Sequence, residues 1–456
     1  MTQTDTTTVK AARYSTIDVE GSGAISNSQG NDVLEKFELE DDTPLYNLSQ
    51  RIFTFISCLT ITYVVGFSHT SFNLVKTISL EKWSSTFYPE FHATFALLPP
   101  TFFYLGASIG CIVMLCTRKY RHLFVAKIAA CMFFLGSIFN IGYPHIIVVF
   151  LTRFIFGLAS GISNVVVPQI LYKLAPKEKK AFFSALYPVS LLTGLTSAVA
   201  LIPLSNSTYF FYINSIPIVF SAIAFGAFFK TLSLNPADKE TLDKVIQKLC
   251  RFDVIKTTFS VIFIHIFQKT TGVDFIGNFS SIIFIGDNEY LYGLSPLIFA
   301  TILTFFTSFF TDKIGRKIPI VGGLGGISII CFTIYSIGPT IWLVLMFILF
   351  YNFGLSNIPY FYQNEIVKAG NEAMVNEIGS LTNWLLGLAV AIFVAFIYTK
   401  SSSLIWLVFS ILSAIGCIVA AVTMIETMGV SMETKDYIKS WNNITNWRRK
   451  KEIIYN

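Results

Sequence analysis

Long apolar stretches dominate the chain and are separated by short polar segments. Runs such as Ile146 to Val167 are apolar over most of their length and reach the roughly twenty residues that a helix needs to cross a bilayer. Barrel strands would instead show shorter segments of alternating polarity. The pattern therefore predicts an all-α integral membrane protein with twelve transmembrane helices. The predicted spans are Ile52–Val75, Phe91–Cys116, Leu123–Gly142, Ile146–Leu171, Phe182–Leu204, Tyr209–Phe229, Thr258–Ile285, Leu291–Thr311, Ile318–Ile337, Ile341–Tyr362, Asn376–Tyr398 and Leu404–Ile425.

A strongly charged segment, residues 230–257, divides the predicted spans into two sets of six. We expect residues 51–229 to form a first six-helix half and residues 258–426 to form a second. Residues 1–50 are rich in Thr, Ser and Gly and then acidic, which is typical of a disordered tail. Residues 427–456 form a second polar tail.

Positive charge in the short loops predicts which face is cytoplasmic, because Lys and Arg concentrate in cytoplasmic loops. The loops that this assigns to the inside carry Arg118, Lys119, Arg121, Lys173, Lys177, Lys179, Lys180, Lys313, Arg316 and Lys317. The loops assigned to the outside carry Lys76, Lys82 and Lys400. We therefore expect the linker and both termini to be cytoplasmic, in a multi-pass protein of the plasma membrane.

Composition excludes several classes of protein. With 53% hydrophobic and 13% charged residues, the chain has too little polar surface for a soluble globule. The net charge of +6 is dispersed among loops and tail, which argues against a nucleic-acid partner. His69, His145 and His265 lack the spacing of metal ligands, and no phosphate loop or paired nucleophile and base occurs. We predict neither an enzyme nor a bound metal or cofactor.

Two six-helix halves joined by a cytoplasmic linker favour a carrier. Such proteins hold a substrate near the membrane midplane and rock one half against the other. A sensor built on the same frame would usually add a long structured cytoplasmic extension, for which this sequence gives no sign. The bilayer and a small substrate are the expected partners, and the oligomeric state stays open.

Short motifs near the predicted helix ends narrow this class. The segment Thr311-Asp312-Lys313-Ile314-Gly315-Arg316-Lys317 is similar to the Asp-Arg-x-Gly-Arg-Arg loop of the major facilitator superfamily. The segment Ile425-Glu426-Thr427-Met428-Gly429 resembles the Pro-Glu-Thr-Lys-Gly signature of the sugar porter family within it. Further positions that resemble the family's pattern are Arg153, Gly157, Gly161, Pro168, Gln268, Gly272, Asp274, Gly354, Pro359, Tyr360, Glu365, Asn383 and Trp384. From Arg51 to about Lys439 the chain resembles facilitative hexose transporters.

The resemblance implies transport of a hexose, such as glucose, or of a related sugar. Gln268 and Asn383 would hydrogen-bond sugar hydroxyls, because an amide donates and accepts at once. Tyr360 and Trp384 would cover the apolar face of the sugar ring. Each of these residues could equally be a contact between helices. The implied substrate-binding set is Gln268, Lys269, Asp274, Asn352, Tyr360, Asn383 and Trp384.

The resemblance also implies residues that act in gating. Gly354, Asn357 and Pro359 interrupt the helical ladder of span ten, which predicts a bend there. Lys173 stands where the family has an acid, and Glu372 stands where it has a base. An inverted bridge and two unrelated losses both fit this reversal, because attraction depends on the product of the charges. The implied gating set is Lys173, Asp312, Arg316, Pro359, Glu365, Glu372 and Glu426.

Other departures bear on the substrate. Lys269 and Asp274 replace a Gln and an Asn of the family motif, and Asn352 replaces a Glu. Charges inside a span are costly unless they are paired, so Lys269 and Asp274 either neutralise each other or take part in substrate choice. An anionic small metabolite is therefore an alternative substrate.

The mode of energy coupling follows from the end of span one. Proton-coupled sugar porters carry an Asp there, whereas this chain has Asn73. An Asn side chain cannot take up a proton, so we predict facilitated diffusion. A proton-coupled sugar or polyol symporter and a non-transporting sugar sensor are the alternatives.

Overall fold

The computed structural model describes residues 48–71, 92–116, 122–141, 146–176, 179–204, 210–229, 252–277, 289–367, 372–398 and 402–427. Within these ranges the chain is helical, without strands. The helices are α1 (Leu48–Thr70), α2 (His92–Cys116), α3 (His122–Ile141), α4 (Ile146–Leu174), α5 (Lys180–Ala200), α6 (Phe210–Phe229), α7 (Phe252–Thr270), α8 (Glu289–Ser308), α9 (Thr311–Ile314), α10 (Lys317–Ile337), α11 (Ile341–Gly354), α12 (Ile358–Glu365), α13 (Glu372–Tyr398) and α14 (Ser402–Thr423).

The helices agree with a protein that lies in a membrane. Among the described residues, nine helices are long and apolar enough to cross a bilayer, and two shorter apolar helices lie in α3 and α6. Large apolar side chains such as Trp342, Ile337 and Ile329 are mostly exposed, at 72%, 70% and 68%. A water-soluble protein would bury such a surface, so lipid is the medium that suits it. The prediction of an all-α membrane protein is confirmed.

Two predicted spans are interrupted in the structure. Span seven was predicted to run from Thr258 to Ile285, but α7 ends at Thr270, and after a break at Thr271 and Gly272 the chain is helical again over residues 273–277. The rest of this predicted span lies outside the described residues. The chain turns at Gly272, whose φ of +89° lies in the left-handed region that glycine tolerates. Span ten is divided into α11 and α12, as Gly354, Asn357 and Pro359 predicted.

Small residues allow α2 and α4 to lie in close contact. A Cβ atom at Gly157 would collide with the backbone carbonyl of Phe103, and one at Gly161 with that of Ala107. Close approach of backbones through small residues is a common basis of helix association in membranes. Near the end of α1, the buried guanidinium of Arg153 on α4 donates to the Ser68 carbonyl and, at 3.0 Å, to Ser71 Oγ.

We call α1–α6 the first half and α7–α14 the second half. The two halves meet mainly along two pairs of helices, α2 with α13 and α5 with α8. Trp384 and Ala391 of α13 belong to the apolar core formed mainly by the first half, and Ala181 of α5 belongs to that of the second. Thr196 Oγ1 on α5 lies 2.9 Å from Thr301 Oγ1 on α8. Residues on these four helices therefore line the seam between the halves.

Candidate functional site

Four polar side chains from α7, α12 and α13 form a buried hydrogen-bonded group, which we call the amide cluster: His265, Gln268, Gln363 and Asn383. Asn383 Nδ2 donates to Gln268 Oε1 at 2.8 Å and lies 3.2 Å from His265 Nδ1. His265 Nε2 lies 3.1 Å from Gln363 Oε1, to which it can donate. All four side chains are at most 3% exposed. Gln268 and Asn383 thus meet as a pair, and in this state their amides bind each other.

The sequence explains how the amide cluster is assembled. His265 and Gln268 are three residues apart on α7, so they share one face of that helix. Pro359 lacks the N–H that would bond to the Leu355 carbonyl four residues earlier. Gln268 Nε2 donates to that carbonyl instead, at 3.0 Å. The break between α11 and α12 is therefore bonded directly to a predicted substrate-binding residue.

Lys269 and Asp274 form an ion pair next to the amide cluster. Lys269 Nζ lies 2.8 Å from Asp274 Oδ2, and the two side chains are 11% and 18% exposed. The break at Gly272 lies between α7 and the helical residues 273–277, and across it the Asp274 carboxylate meets the ammonium group. The pairing that the sequence left open is thus present in the structure.

Aromatic rings from both halves lie close to the ammonium group of this ion pair. Lys269 Nζ lies 5.6 Å from the ring centre of Trp384 on α13 and 6.0 Å from that of Tyr104 on α2, within the range of a cation–π interaction. Tyr104 Oη lies 3.3 Å from His69 Nε2 on α1, and the His69 and Phe103 rings are 4.8 Å apart. The ammonium group therefore faces the seam between the halves.

Two other predicted binding residues lie in different contacts. The Tyr360 ring packs against Tyr187 of α5, with 5.0 Å between ring centres, so it too reaches the first half. Asn352 is buried inside the second half, where it accepts a hydrogen bond from Thr304 Oγ1 and donates to the Ile348 carbonyl at 2.9 Å. Five residues of the predicted substrate-binding set therefore lie together: Gln268, Asn383, Lys269, Asp274 and Trp384. Asn352 lies apart from them and bonds to α8.

Several predicted gating residues also come together, at the ends of α9, α10, α12 and α14. The Arg316 guanidinium binds both carboxylate oxygens of Glu365, at 2.9 and 2.6 Å. Glu426 accepts the backbone N–H groups of Arg316 at 3.0 Å and Lys317 at 3.1 Å. Thr427 Oγ1 donates to Glu365 at 2.6 Å. We call Arg316, Glu365, Glu426 and Thr427 the Arg316 cluster.

The remaining gating residues are placed less completely. Pro359 is buried in the first turn of α12, and Lys173 is exposed near the end of α4. Glu372 begins α13 and Asp312 lies in α9, but both side chains fall outside the part of the chain that the structure describes. The proposed contact of Lys173 with Glu372 therefore stays a prediction.

Sequence reasoning missed four residues of the site: His265, Gln363, Tyr104 and His69. His69, Tyr104 and His265 carry a polar group inside a predicted apolar span, and Gln363 directly follows one, which was the available signal. No motif marks them, and His265 and Gln363 lie 98 positions apart in the chain.

A further crevice lies between α7, α10 and α14, but its lining contains no charged or amide side chain. In the described ranges no group of metal-ligating residues occurs.

The helix arrangement is that of the major facilitator fold. The solved xylose symporter XylE, bound to 6-bromo-6-deoxy-D-glucose, superimposes with a TM-score of 0.71 at 13% identity and covers 87% of this chain and 100% of its own. FucP in its outward conformation gives a TM-score of 0.62 at 12% identity, covering 82% and 100%. These similarities establish the fold.

The family follows from the sequence comparison. The profile described as "Sugar (and other) transporter" matches residues 61–229 and 227–438, and the chain belongs to this family. "Membrane transporter D1" of Leishmania donovani is 25% identical over 365 residues, 68% of this chain and 66% of that protein. "Sugar transporter STL1" of Saccharomyces cerevisiae is 30% identical over 190 residues, 38% and 33% of the two chains. The chain thus spans about two thirds or less of these relatives. Its family consists of transporters and not of enzymes.

Proposed function

We propose that this protein carries a hexose across the membrane by alternating access, as a facilitator. The observation that supports this most directly is the polar site at the seam, where Lys269, Asp274 and Trp384 of the second half face Tyr104 of the first. A group at that position would be exposed to one side or the other as the halves rock. A polar site at this position supports the proposed carrier.

The chemistry of the site suits a sugar. A pyranose offers several hydroxyl groups and one apolar face. Lys269 can donate to hydroxyl oxygens, Asp274 can accept hydroxyl protons, and the amides of Gln268 and Asn383 can do both once they separate. The rings of Trp384 and Tyr104 offer apolar surface. A relative from Levilactobacillus brevis, named a D-xylose transporter, matches 95 residues at 27% identity, in line with a sugar substrate.

An uptake assay in which unlabelled sugars compete with a radiolabelled one tests the assignment of a hexose. We expect D-glucose or another hexose to compete for radiolabelled uptake in cells that lack their own hexose carriers, with saturable kinetics. A panel of hexoses, pentoses and polyols ranks the substrates. Preference for a pentose or polyol over every hexose would contradict the hexose assignment while leaving sugar transport intact.

The proposal of facilitated diffusion rests on the identity of Asn73, which lies outside the described residues. XylE is named a proton:xylose symporter, so the fold accommodates coupling. We expect proteoliposomes to equilibrate the sugar and to show no accumulation when an inward proton gradient is imposed. Concentrative uptake driven by that gradient would overturn the facilitator proposal in favour of a proton-coupled symporter.

We place the Arg316 cluster on the cytoplasmic face of the plasma membrane, with both termini on the same side. The support is the excess of Lys and Arg in the adjoining loops. There the cluster would hold the ends of α9, α10, α12 and α14 together while the second half moves as one body. Glu365 and Glu426 would accept the hydrogen bonds that hold these helix ends.

Pro359 is predicted to control the rate of the conformational cycle. Pro359→Ala supplies the missing N–H, which can bond to the Leu355 carbonyl and displace Gln268 from it. We expect a straighter span ten and a lower turnover number, with little change in sugar affinity. Uptake kinetics give both quantities. A change in affinity alone would count against a hinge at this position.

Lys173 and Glu372 are predicted to form an inverted bridge between the halves when the carrier opens outward. An exposed pair contributes about 0.2 to 1 kcal/mol, which shifts the population ratio of the two states by at most roughly fivefold. Lys173→Glu and Glu372→Lys should each favour the inward-open state, and the double variant should restore the balance. Distances between spin labels on the two halves measure this. Additive effects in the double variant would exclude the bridge.

A further inference from the structure

The ion pair of Lys269 and Asp274 lies at the seam between the halves, beside the amide cluster. Both side chains retain some exposure, at 11% and 18%, while the neighbouring amide cluster is buried. The ammonium lies near aromatic rings from each half, at 5.6 and 6.0 Å from their centres. The pair therefore borders the space between the halves.

A second observation also indicates a ligand at this place. Trp384 is 4% exposed, and its indole Nε1 has no hydrogen-bond partner among the residues that the structure describes. A buried N–H without a partner costs about 1 to 3 kcal/mol. An oxygen atom of a bound molecule would remove that cost. The indole donor, the ammonium and the carboxylate together suit a molecule with several hydroxyl groups.

The two charges of the pair sum to zero. A charged group taken out of water is strongly destabilised unless an opposite charge lies close to it. A neutral sugar adds no charge and can use both partners through its hydroxyl groups. A sugar acid or a protonated amino sugar would bring a charge for which the paired site has no counter-charge left.

We infer that Lys269 and Asp274 are the charge filter of the sugar site, admitting uncharged sugars and rejecting sugar acids and protonated amino sugars. This inference rests on the proposed function and adds a substrate class to it. Charge neutrality is a property of the pair and not of either residue. A site of zero net charge also disfavours the anionic metabolite that the sequence left as an alternative substrate.

The filter predicts opposite gains of function in two single variants. Asp274→Asn leaves the Lys269 ammonium without its counter-ion, so the site gains affinity for an anionic sugar. Lys269→Gln leaves the Asp274 carboxylate alone, so the site gains affinity for a cationic sugar. The double variant, Lys269→Gln with Asp274→Asn, has no charge at this place and should again prefer a neutral sugar.

The test measures uptake of D-glucose, D-glucuronate and D-glucosamine into proteoliposomes buffered slightly below neutral pH, where both charged sugars are ionised. We expect the ratio of glucuronate to glucose uptake to rise about tenfold or more in Asp274→Asn, which corresponds to about 1.4 kcal/mol. The ratio of glucosamine to glucose uptake should rise similarly in Lys269→Gln. The double variant and wild type should show neither gain. Lys179→Gln, an exposed charge change at the N-cap of α5, is the matched control.

Thermal stabilisation of each detergent-purified variant by the same three sugars provides a second readout that needs no flux. Binding of glucuronate by Asp274→Asn and of glucosamine by Lys269→Gln would support the filter even where turnover is lost. If folded single variants gain neither binding nor uptake of the charged sugars, or if wild type accepts them as well as glucose, the filter is refuted. Failure of wild type to move any neutral sugar would instead contradict the proposed function.

Discussion

Replacing Arg316 with Gln should destabilise the protein by about 3 kcal/mol and impair transport, the largest effect that we expect from a single substitution. Arg316 is 4% exposed and binds both oxygens of Glu365, at 2.9 and 2.6 Å, as well as the Thr311 carbonyl at 2.9 Å. Removing the guanidinium leaves a carboxylate that is 16% exposed without its counter-ion. Thermal unfolding in detergent and uptake assays measure the two effects.

Two further variants distinguish the effect of the Arg316 charge on transport from its effect on stability. Lys317→Gln is the matched control, because Lys317 joins the Arg316 cluster through its backbone N–H, which the substitution keeps. Combining Arg316→Met with Glu365→Leu removes both charges and should recover much of the stability, since apolar replacement of a buried ion pair is often tolerated. Transport should stay impaired in that double variant if the cluster acts in gating. Full recovery of transport would restrict its role to stability.

Removal of an amide from the amide cluster should weaken sugar transport by about 1 to 3 kcal/mol, or roughly fivefold to more than a hundredfold. Gln268→Ala takes away the partner of Asn383 and of the Leu355 carbonyl, and Asn383→Ala takes away the donor to Gln268. Each leaves buried polar atoms unsatisfied and removes a partner for the sugar hydroxyls. Uptake kinetics in proteoliposomes, at matched protein amounts, measure the loss.

Thr382→Ala is the matched control for Asn383→Ala. Thr382 is the neighbour of Asn383 on α13, and its hydroxyl bonds to the Ile378 carbonyl of its own helix at 2.8 Å. We expect it to transport like wild type. Wild-type kinetics in both amide variants would mean that Gln268 and Asn383 serve helix packing and that the substrate lies elsewhere along the seam.

Much of the fold follows from the sequence because its signals are local. Apolar length predicts the helices, and Gly354, Asn357 and Pro359 predict the break between α11 and α12, which is observed. Motif residues Arg316, Glu365 and Glu426 were predicted separately and meet in one cluster. The sequence placed Lys269 and Asp274 close enough to pair, since they are five positions apart.

The details of the site do not follow from the sequence, because they depend on contacts between distant helices. Nothing in the chain shows that Gln268 would bond to Asn383 and to a carbonyl freed by Pro359. His265 carries no motif, yet it links three helices. The interruption of span seven at Gly272 was missed because apolar residues continue past it, and hydropathy does not report the backbone conformation of a single glycine.

Counterflow in proteoliposomes tests the central claim, alternating-access sugar transport, most directly. Vesicles loaded with unlabelled D-glucose are diluted into a trace of radiolabelled D-glucose, with no ion gradient. A carrier predicts transient accumulation of label above equilibrium, because outward movement of unlabelled sugar returns the site to capture label outside. The Gln268→Ala variant should reduce the overshoot, and protein-free vesicles should show none. Binding of D-glucose by the wild-type protein without any overshoot would contradict the account and indicate a sugar sensor.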